Sequence, residues 1–148
     1  MKNSRACIIG LLALSMSACA NFGQKNYESA TIVDAPIQHS LSSQDAVSHW
    51  RLGEGARDIG RYSDAMEYYL KALDVVPGDP AILSRVAEMH ARLNNVQLAE
   101  QAAVQSNIGT SDVRLRYRNW LIIRHARQVE GDAVGVEKAE SELRALMG

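Results

Sequence analysis

The sequence is poor in cysteine, proline and aromatic side chains, and it carries almost no net charge. Its 148 residues include two cysteines, three prolines and 5% aromatic residues, and the formal net charge is −1. Two cysteines exclude a disulfide-rich scaffold. The lack of a strong charge of either sign argues against nucleic acid or an acidic lipid surface as a partner. A chain of this length with 47% hydrophobic residues can form one moderate core, and the scarcity of glycine and proline clusters favours helices.

Motifs for catalysis and metal binding are also missing from the sequence. The four histidines are scattered and form no His-Glu-x-x-His pattern or Cys/His ligand spacing. There is no Gly-x-Ser-x-Gly and no phosphate-binding glycine loop. We therefore expect a protein that is not an enzyme and that uses no cofactor or metal. These histidines are His39, His49, His90 and His125.

The N-terminus has the pattern of a secretory signal peptide. Lys2 and Arg5 precede an apolar run of 13 residues at 6–18, which is too short to span a bilayer comfortably. The run ends in Met16-Ser17-Ala18-Cys19, which resembles a bacterial lipobox. The resemblance implies cleavage before Cys19 and lipidation of that residue. The alternative is an ordinary signal peptide that happens to carry a cysteine.

Two further observations agree with lipidation. Cys7 lies in the segment that would be removed, so Cys19 would be the only cysteine of the mature chain, and lipidation would cap its thiol. The residue after Cys19 is Ala20 and not Asp, which by resemblance to sorted lipoproteins of Gram-negative bacteria favours the outer membrane. The following residues, up to 42, are polar and without helical or strand period, and they predict a disordered or extended tether.

Helical periodicity begins near Ser43 and continues to the C-terminus. Start and stop signals predict six helices, at 42–59, 63–76, 80–93, 96–107, 112–129 and 133–147. Ser42 with Asp45, Ser63 and Asp79 are the expected starts of the first three helices. Gly60 is an expected stop, and Gly131 is an expected turn between the last two helices.

One stretch resembles a tetratricopeptide repeat (TPR), a helix-turn-helix unit of about 34 residues that stacks into arrays. The matching positions are Leu52-Gly53, Gly60, Tyr62, Ala65, Tyr69, Ala72-Leu73 and Pro77. An offset of 34 residues gives a degenerate second unit, and a third fits if its first helix is about one turn longer. The resemblance implies an all-α fold, a short TPR-like array of about three helix pairs. The implied domains are a signal peptide at 1–18, a lipidated cysteine and tether at 19–42, and an array at 43–148 with repeats at about 46–79, 80–111 and 112–148.

In TPR arrays the inner wall of the groove comes mainly from the first helix of each repeat. Position by position, the resemblance implies a partner-binding groove with mixed charge and an aromatic residue at one end. Its residues are Trp50, Arg51, Glu54, Arg57, Asp58, Ser84, Arg85, Glu88 and Arg92, followed less directly by Arg118, Leu121, Ile122 and His125. The Lys/Asn pattern that some TPR domains use to bind a terminal carboxylate is not visible. Trp50 is either an exposed anchor for a partner or a residue packed between helices.

A second feature is a run of arginines from residue 113 to 129 with no acidic residue among them. One interpretation is a basic strip for an acidic partner or an anionic envelope polymer. The other is a solvated helix flank whose charges pair with Glu137, Glu140 and Glu142. The arginines are Arg114, Arg116, Arg118, Arg124 and Arg127.

The layout of lipobox, polar tether and short TPR-like domain resembles lipoprotein activators of class A penicillin-binding proteins. It implies an outer-membrane lipoprotein whose periplasmic domain binds an envelope protein, as an activator or adaptor in peptidoglycan synthesis. The first alternative is a pilotin or assembly lipoprotein for a secretin, a type IV pilus or a tight-adherence pilus. A third hypothesis, a peptidoglycan-binding or hydrolase-associated protein, has no glycan-binding motif in its favour.

Overall fold

A computed structural model describes residues 36–148, and these form six α-helices without a strand. The helices are α1 (Gln44–Asp58), α2 (Tyr62–Val75), α3 (Pro80–Arg92), α4 (Val96–Gly109), α5 (Val113–Glu130) and α6 (Ala133–Met147). The predicted all-α fold is confirmed, and the helical array is compatible with a TPR-like fold. The predicted signal peptide, the predicted lipidation site at Cys19 and most of the predicted tether lie outside the described residues. No helix in the described part of the chain is long and apolar enough to cross a bilayer.

The turn within each helix pair contains a residue with positive φ. Gly60 and Gly131 have φ values of 77° and 75°, and Asn94, which lies 34 residues after Gly60, has a φ of 61°. Glycine and asparagine tolerate this left-handed conformation better than other residues do. The turn of the third pair does not follow the 34-residue offset, because α5 has 18 residues, whereas α3 has 13. The longer first helix of the third unit was expected from the position of Gly131.

The helix starts differ from expectation in two places. The N-cap of α1 is Ser43, whose Oγ accepts from the Ala46 backbone at 3.5 Å, and not Ser42. Ser63 lies inside α2, because this helix already begins at Tyr62 and has no side-chain cap. The predicted start of α3 is confirmed, since Asp79 Oδ1 accepts from two backbone amides at the N-terminus of the helix, each at 3.0 Å.

Small residues allow the helices to approach closely. Gly53 in α1 faces Tyr69 in α2, and a Cβ at Gly53 would lie only 2.6 Å from the ring. Tyr69 is fully buried in a cluster with Ala65, Ala72 and residues of α3. A second cluster joins α3 to α4, α5 and α6. The predicted apolar side of α1 is wrong at Leu52 and Ile59, which are 51% and 70% exposed.

The described residues before α1 lie against the array. His39 Nε2 is 2.9 Å from Asp79 Oδ2 at the start of α3, and the His39 ring lies 5.8 Å from that of Trp50. Leu41 packs against the core cluster of α2 and α3. Ile37 lines a cavity with residues of α5 and α6. Residues 36–41, at the end of the predicted tether, therefore form a docked segment.

Candidate partner-binding face

The first helices of the three pairs are α1, α3 and α5, and we call the face that they share the first-helix face. At its centre lies Glu88 in α3, a carboxylate surrounded by arginines. Its side chain is fully buried. Arg85 Nη1 donates to Glu88 Oε2 at 2.8 Å, and Arg118 Nη2 from α5 donates to the same oxygen. Arg92 Nη2 and Arg57 Nη1 lie 3.4 and 3.6 Å from Glu88 Oε1. Guanidiniums from α1, α3 and α5 thus meet at one carboxylate.

A second carboxylate, Glu54 in α1, extends the network. Arg85 donates to it twice, from Nε at 2.7 Å and from Nη2 at 2.8 Å, in the bidentate geometry that makes arginine–carboxylate pairs strong. The Tyr69 hydroxyl donates to Glu54 Oε1 at 2.5 Å. Arg57 Nη2 lies 3.6 Å from Glu54 Oε2. We call Glu54, Tyr69, Glu88 and the four arginines around them the charge network. The arginines are Arg57, Arg85, Arg92 and Arg118.

The repeat explains why these residues meet. Positions 34 residues apart occupy equivalent places on stacked units, as Ser84 and Arg118 show: Arg118 Nε donates to Ser84 Oγ at 3.2 Å. The Arg85–Glu54 and Arg118–Glu88 contacts span 31 and 30 residues, which is one helical turn short of this offset. On α3 itself, Arg85, Glu88 and Arg92 share one side of the helix by their spacing.

Burial and neighbouring charges shift the pKa of several of these groups. Burial lowers the pKa of Arg118 to about 10, against the opposing effect of Glu88. At Arg57 burial also lowers the pKa, but the nearby Glu88 and Glu54 carboxylates outweigh it, so its pKa is raised. Burial and the hydrogen bond to Glu54 raise the pKa of Tyr69. Tyr69 therefore stays a neutral donor at any physiological pH.

The network opens to solvent at one end of the face. Arg57, Asp58, Tyr62 and Arg92 line a cavity of about 320 Å³. Asp58 Oδ1 lies 2.9 Å from Arg57 Nη2 and is 65% exposed. The Arg92 guanidinium lies 5.1 Å from the centre of the Tyr62 ring. We call this opening the arginine mouth.

The structure brings together most of the predicted groove residues, but at a different depth from the one expected. Glu54, Arg57, Arg85, Glu88 and Arg92 all belong to the charge network. The expectation of an exposed wall is wrong at Arg85 and Glu88, which are fully buried and pair with Glu54 of α1 and Arg118 of α5. The hydroxyl of Tyr69 was not expected in the site, because its sequence position indicates only packing.

Two other predicted groove residues lie beside the network. Trp50 is half-buried, and its ring packs 5.5 Å from Tyr69 and 6.0 Å from the Arg85 guanidinium. It thus contacts the core, and His39 of the docked segment adds a contact. Arg51 is exposed, and the ion pairs among residues 36–148 do not include it.

The arginines of α5 do not form one exposed strip. Arg118 is 3% exposed and belongs to the charge network. Arg127 donates to Glu100 Oε1 in α4 from two of its nitrogens, at 2.9 and 2.8 Å. Arg114 is exposed, and Arg116 and Arg124 are half-buried. Arg118 and Arg127 therefore pair with Glu88 and Glu100, and not with the acidic residues of α6 that were expected as partners.

A larger cavity of about 590 Å³ lies between the docked segment and the ends of α5 and α6, lined in part by Ile37, Leu115, Tyr117 and Leu146. Among the described residues no group of histidine, cysteine, aspartate or glutamate is arranged to hold a metal ion.

Fold and site together define an all-helical array whose first helices share a buried charge network. No protein-family model matches the chain, and neither curated proteins nor solved structures include a match.

Proposed function

We propose that this chain is a non-enzymatic adaptor that binds another protein on the face formed by α1, α3 and α5. The observation that supports this most is the charge network, which links the three first helices through buried ion pairs and opens at the arginine mouth. Buried, mutually paired side chains are held in place before a partner arrives, which lowers the entropic cost of binding.

We further propose that the adaptor is a lipoprotein of the outer membrane in a Gram-negative bacterium and faces the periplasm. The support is the signal-peptide pattern and the resemblance of residues 16–19 to a lipobox. The layout resembles lipoprotein activators of penicillin-binding proteins, so the proposed process is peptidoglycan synthesis and the proposed partner a cell-wall synthase. A pilus or secretin component is the alternative partner.

The lipid anchor is tested by two cysteine variants. Cys19→Ala should move the protein from the membrane fraction to the soluble fraction or leave its signal peptide uncut, because the proposed lipidated residue is lost. Cys7→Ala is the matched control and should stay in the membrane fraction with the parent mass. Mass spectrometry of the mature N-terminus gives the readout. A Cys19→Ala protein that is processed and membrane-bound like the parent would contradict the anchor.

The binding face is tested by a photo-crosslinking amino acid placed at Arg51, which is exposed and lies three residues before Glu54 on α1. The control position is Glu67 on α2, which is also exposed. In cells, the Arg51 position should capture one envelope protein that the Glu67 position does not. Recovery of a cell-wall synthase supports the proposed process, and recovery of a pilus or secretin subunit supports the alternative. Equal capture at both positions, or none, would contradict the proposed face.

A further inference from the structure

The docked segment turns alternate side chains toward the array. Ile37 and Leu41 are half-buried, and the side chain of His39 is 20% exposed. The residues before, between and after these three are exposed, namely Pro36, Gln38, Ser40 and Ser42. This period of two residues is the pattern of an extended chain that lies along a surface.

The three side chains that face the array contact all three helix pairs. Leu41 packs against the core cluster of α2 and α3. His39 contacts Asp79 at the start of α3 and Trp50 in α1. Ile37 lines the cavity of about 590 Å³ with residues of α5 and α6. The docked segment therefore crosses the array from its first helix pair to its third.

The docked segment also borders the face proposed for the partner. The Trp50 ring, which contacts His39, lies 6.0 Å from the Arg85 guanidinium. Arg118 lines the same cavity as Ile37. Both arginines belong to the charge network that links α1, α3 and α5. A partner that reaches Trp50 and the cavity would therefore compete with the docked segment for the same surface.

The contacts that hold the docked segment are few and partly exposed. Its two apolar side chains are only half-buried, and the hydrogen bond between His39 and Asp79 is exposed. Segments with few buried contacts open at a small cost in free energy. The docked segment can therefore be displaced while the helices stay folded.

Asp79 and Trp50 together form a site that suits a basic side chain better than a histidine. Asp79 Oδ1 caps α3, and Oδ2 contacts His39 at 2.9 Å. An imidazole is charged only when it is protonated, whereas an arginine is always charged and pairs strongly with a carboxylate. Arginine also stacks on aromatic rings, and the Trp50 ring lies 5.8 Å from that of His39. An arginine would therefore bind here more tightly than His39 does.

We propose that the surface under the docked segment binds an extended segment of the partner protein, and that residues 36–41 occupy it until the partner displaces them, an inference that rests on the proposed adaptor function. The partner segment carries a basic residue at its centre, which contacts Asp79 and Trp50. An apolar residue two positions to either side takes the place of Ile37 or Leu41.

The site is tested with a fluorescein-labelled heptapeptide that copies residues 36–42 and carries His39→Arg. Fluorescence anisotropy measures its binding to the full chain. In the released variant, Ile37→Ser/His39→Ala/Leu41→Ser, the docked segment loses its three contacts. This variant should bind the peptide about tenfold more tightly than the parent, because a built-in ligand that covers the site about nine-tenths of the time weakens binding about tenfold.

The matched control changes three exposed residues of the same stretch, Gln38→Ala/Ser40→Ala/Ser42→Ala. It should bind the peptide as the parent does, because these side chains do not face the array. Equal affinity of the parent and the released variant, or no binding to the released variant, would overturn the inference.

A second variant covers the case in which the loss of Leu41 from the core cluster unfolds the protein. Ile37→Ser/His39→Ala keeps Leu41 in place and should still tighten binding of the peptide severalfold. Melting curves show which variants are folded. If this variant is folded and binds the peptide no more tightly than the parent, the docked segment does not cover the site.

The basic residue is tested at Asp79. A second peptide that carries His39→Gln should bind the released variant severalfold more weakly than the arginine peptide. Asp79→Asn, added to the released variant, keeps an N-cap for α3 but removes the charge, so the two peptides should then bind equally. Asp132→Asn, at the N-cap of α6, is the matched control and should retain the difference. A preference for arginine that persists in Asp79→Asn would place the peptide elsewhere and overturn the inference.

Two further measurements separate this inference from its alternatives. Self-association of the parent that is lost in the released variant would show that residues 36–41 dock on a second copy, and the inference would be wrong. In cells, capture of an envelope protein at Arg51 should increase in the released variant. If capture is the same in both proteins and the peptide does not bind, only this inference fails; without capture in either, the adaptor function fails.

Discussion

Gly53 shows how one residue sets the distance between two helices. It lies in the interior of α1, where glycine normally weakens a helix, yet a Cβ there would lie 2.6 Å from the buried Tyr69 ring. The Tyr69 hydroxyl also donates to Glu54, so the ring cannot easily move aside. The contact therefore serves both the core and the charge network.

Replacing Gly53 by alanine should lower the free energy of unfolding by about 1–3 kcal/mol, because overpacking outweighs the gain in helix propensity. Gly55 in the same helix is the matched control, since its Cβ would meet open space. Gly55→Ala should raise the free energy of unfolding by about 0.5–1 kcal/mol. Urea titration of the three proteins measures both values. Two changes of the same sign would contradict the close contact.

Glu88 is the residue on which the network depends. Replacing it by glutamine leaves the same shape but removes the carboxylate from among four arginines. Glu88→Gln should lower the free energy of unfolding by about 3–5 kcal/mol, because the remaining buried charges are no longer compensated. Glu67, exposed and paired with Lys71 on α2, is the control, and Glu67→Gln should leave the melting temperature nearly unchanged. Comparable shifts in both variants would contradict the burial of Glu88.

At the scale of the helix, Asp79 has two roles at the start of α3. One carboxylate oxygen caps the helix, and the other contacts His39 of the docked segment. The start of a core helix and the position of the preceding segment thus depend on the same side chain.

Asp79→Ala should lower the free energy of unfolding by about 1–2 kcal/mol, because the N-cap of α3 is lost. Amide exchange at residues 37–41 should also become faster, because the contact with His39 is lost. His39→Ala should accelerate exchange in the same segment and leave the cap intact. Asp132→Ala, which removes the cap of α6, serves as the comparison and should leave exchange at residues 37–41 unchanged. Unchanged exchange in His39→Ala would show that the segment is held by other contacts.

The helices were more predictable from the sequence than the face they build. Gly60, Gly131 and the Asp79–Pro80 pair are local signals, so the helix boundaries agree with expectation within one or two residues. The burial of Arg85 and Glu88 has no local signal. It results from partners 30 and 31 residues away, and only the stacking of the units brings these together.

For the whole molecule, two half-buried histidines should make stability depend on pH. Burial lowers the pKa of His90, and burial together with Arg124 lowers that of His125. At pH values below about 6.5, the ordinary pKa of histidine, the unfolded chain then binds more protons than the folded one. The free energy of unfolding should therefore fall as the pH is lowered from 7 to 5.

The double variant His90→Gln/His125→Gln tests this sign. Its melting temperature should fall less steeply between pH 7 and pH 5 than that of the parent, whatever its absolute stability. Taking the difference between the two proteins removes contributions from groups that both share. A parallel pH dependence would mean that these two histidines do not carry the effect.

Under the proposed lipid anchor, the docked segment would limit the distance between the face and the membrane. If Cys19 carries the lipid as proposed, 16 residues separate it from Pro36, and a chain of that length spans at most about 55 Å. Residues 36–41 add nothing to this distance while they pack on the array. Release of His39 from Asp79 and of Leu41 from the core would lengthen it by about 20 Å. The docked segment can therefore add to the distance between Cys19 and the array when it is released. A partner that competes for its contacts would increase that distance.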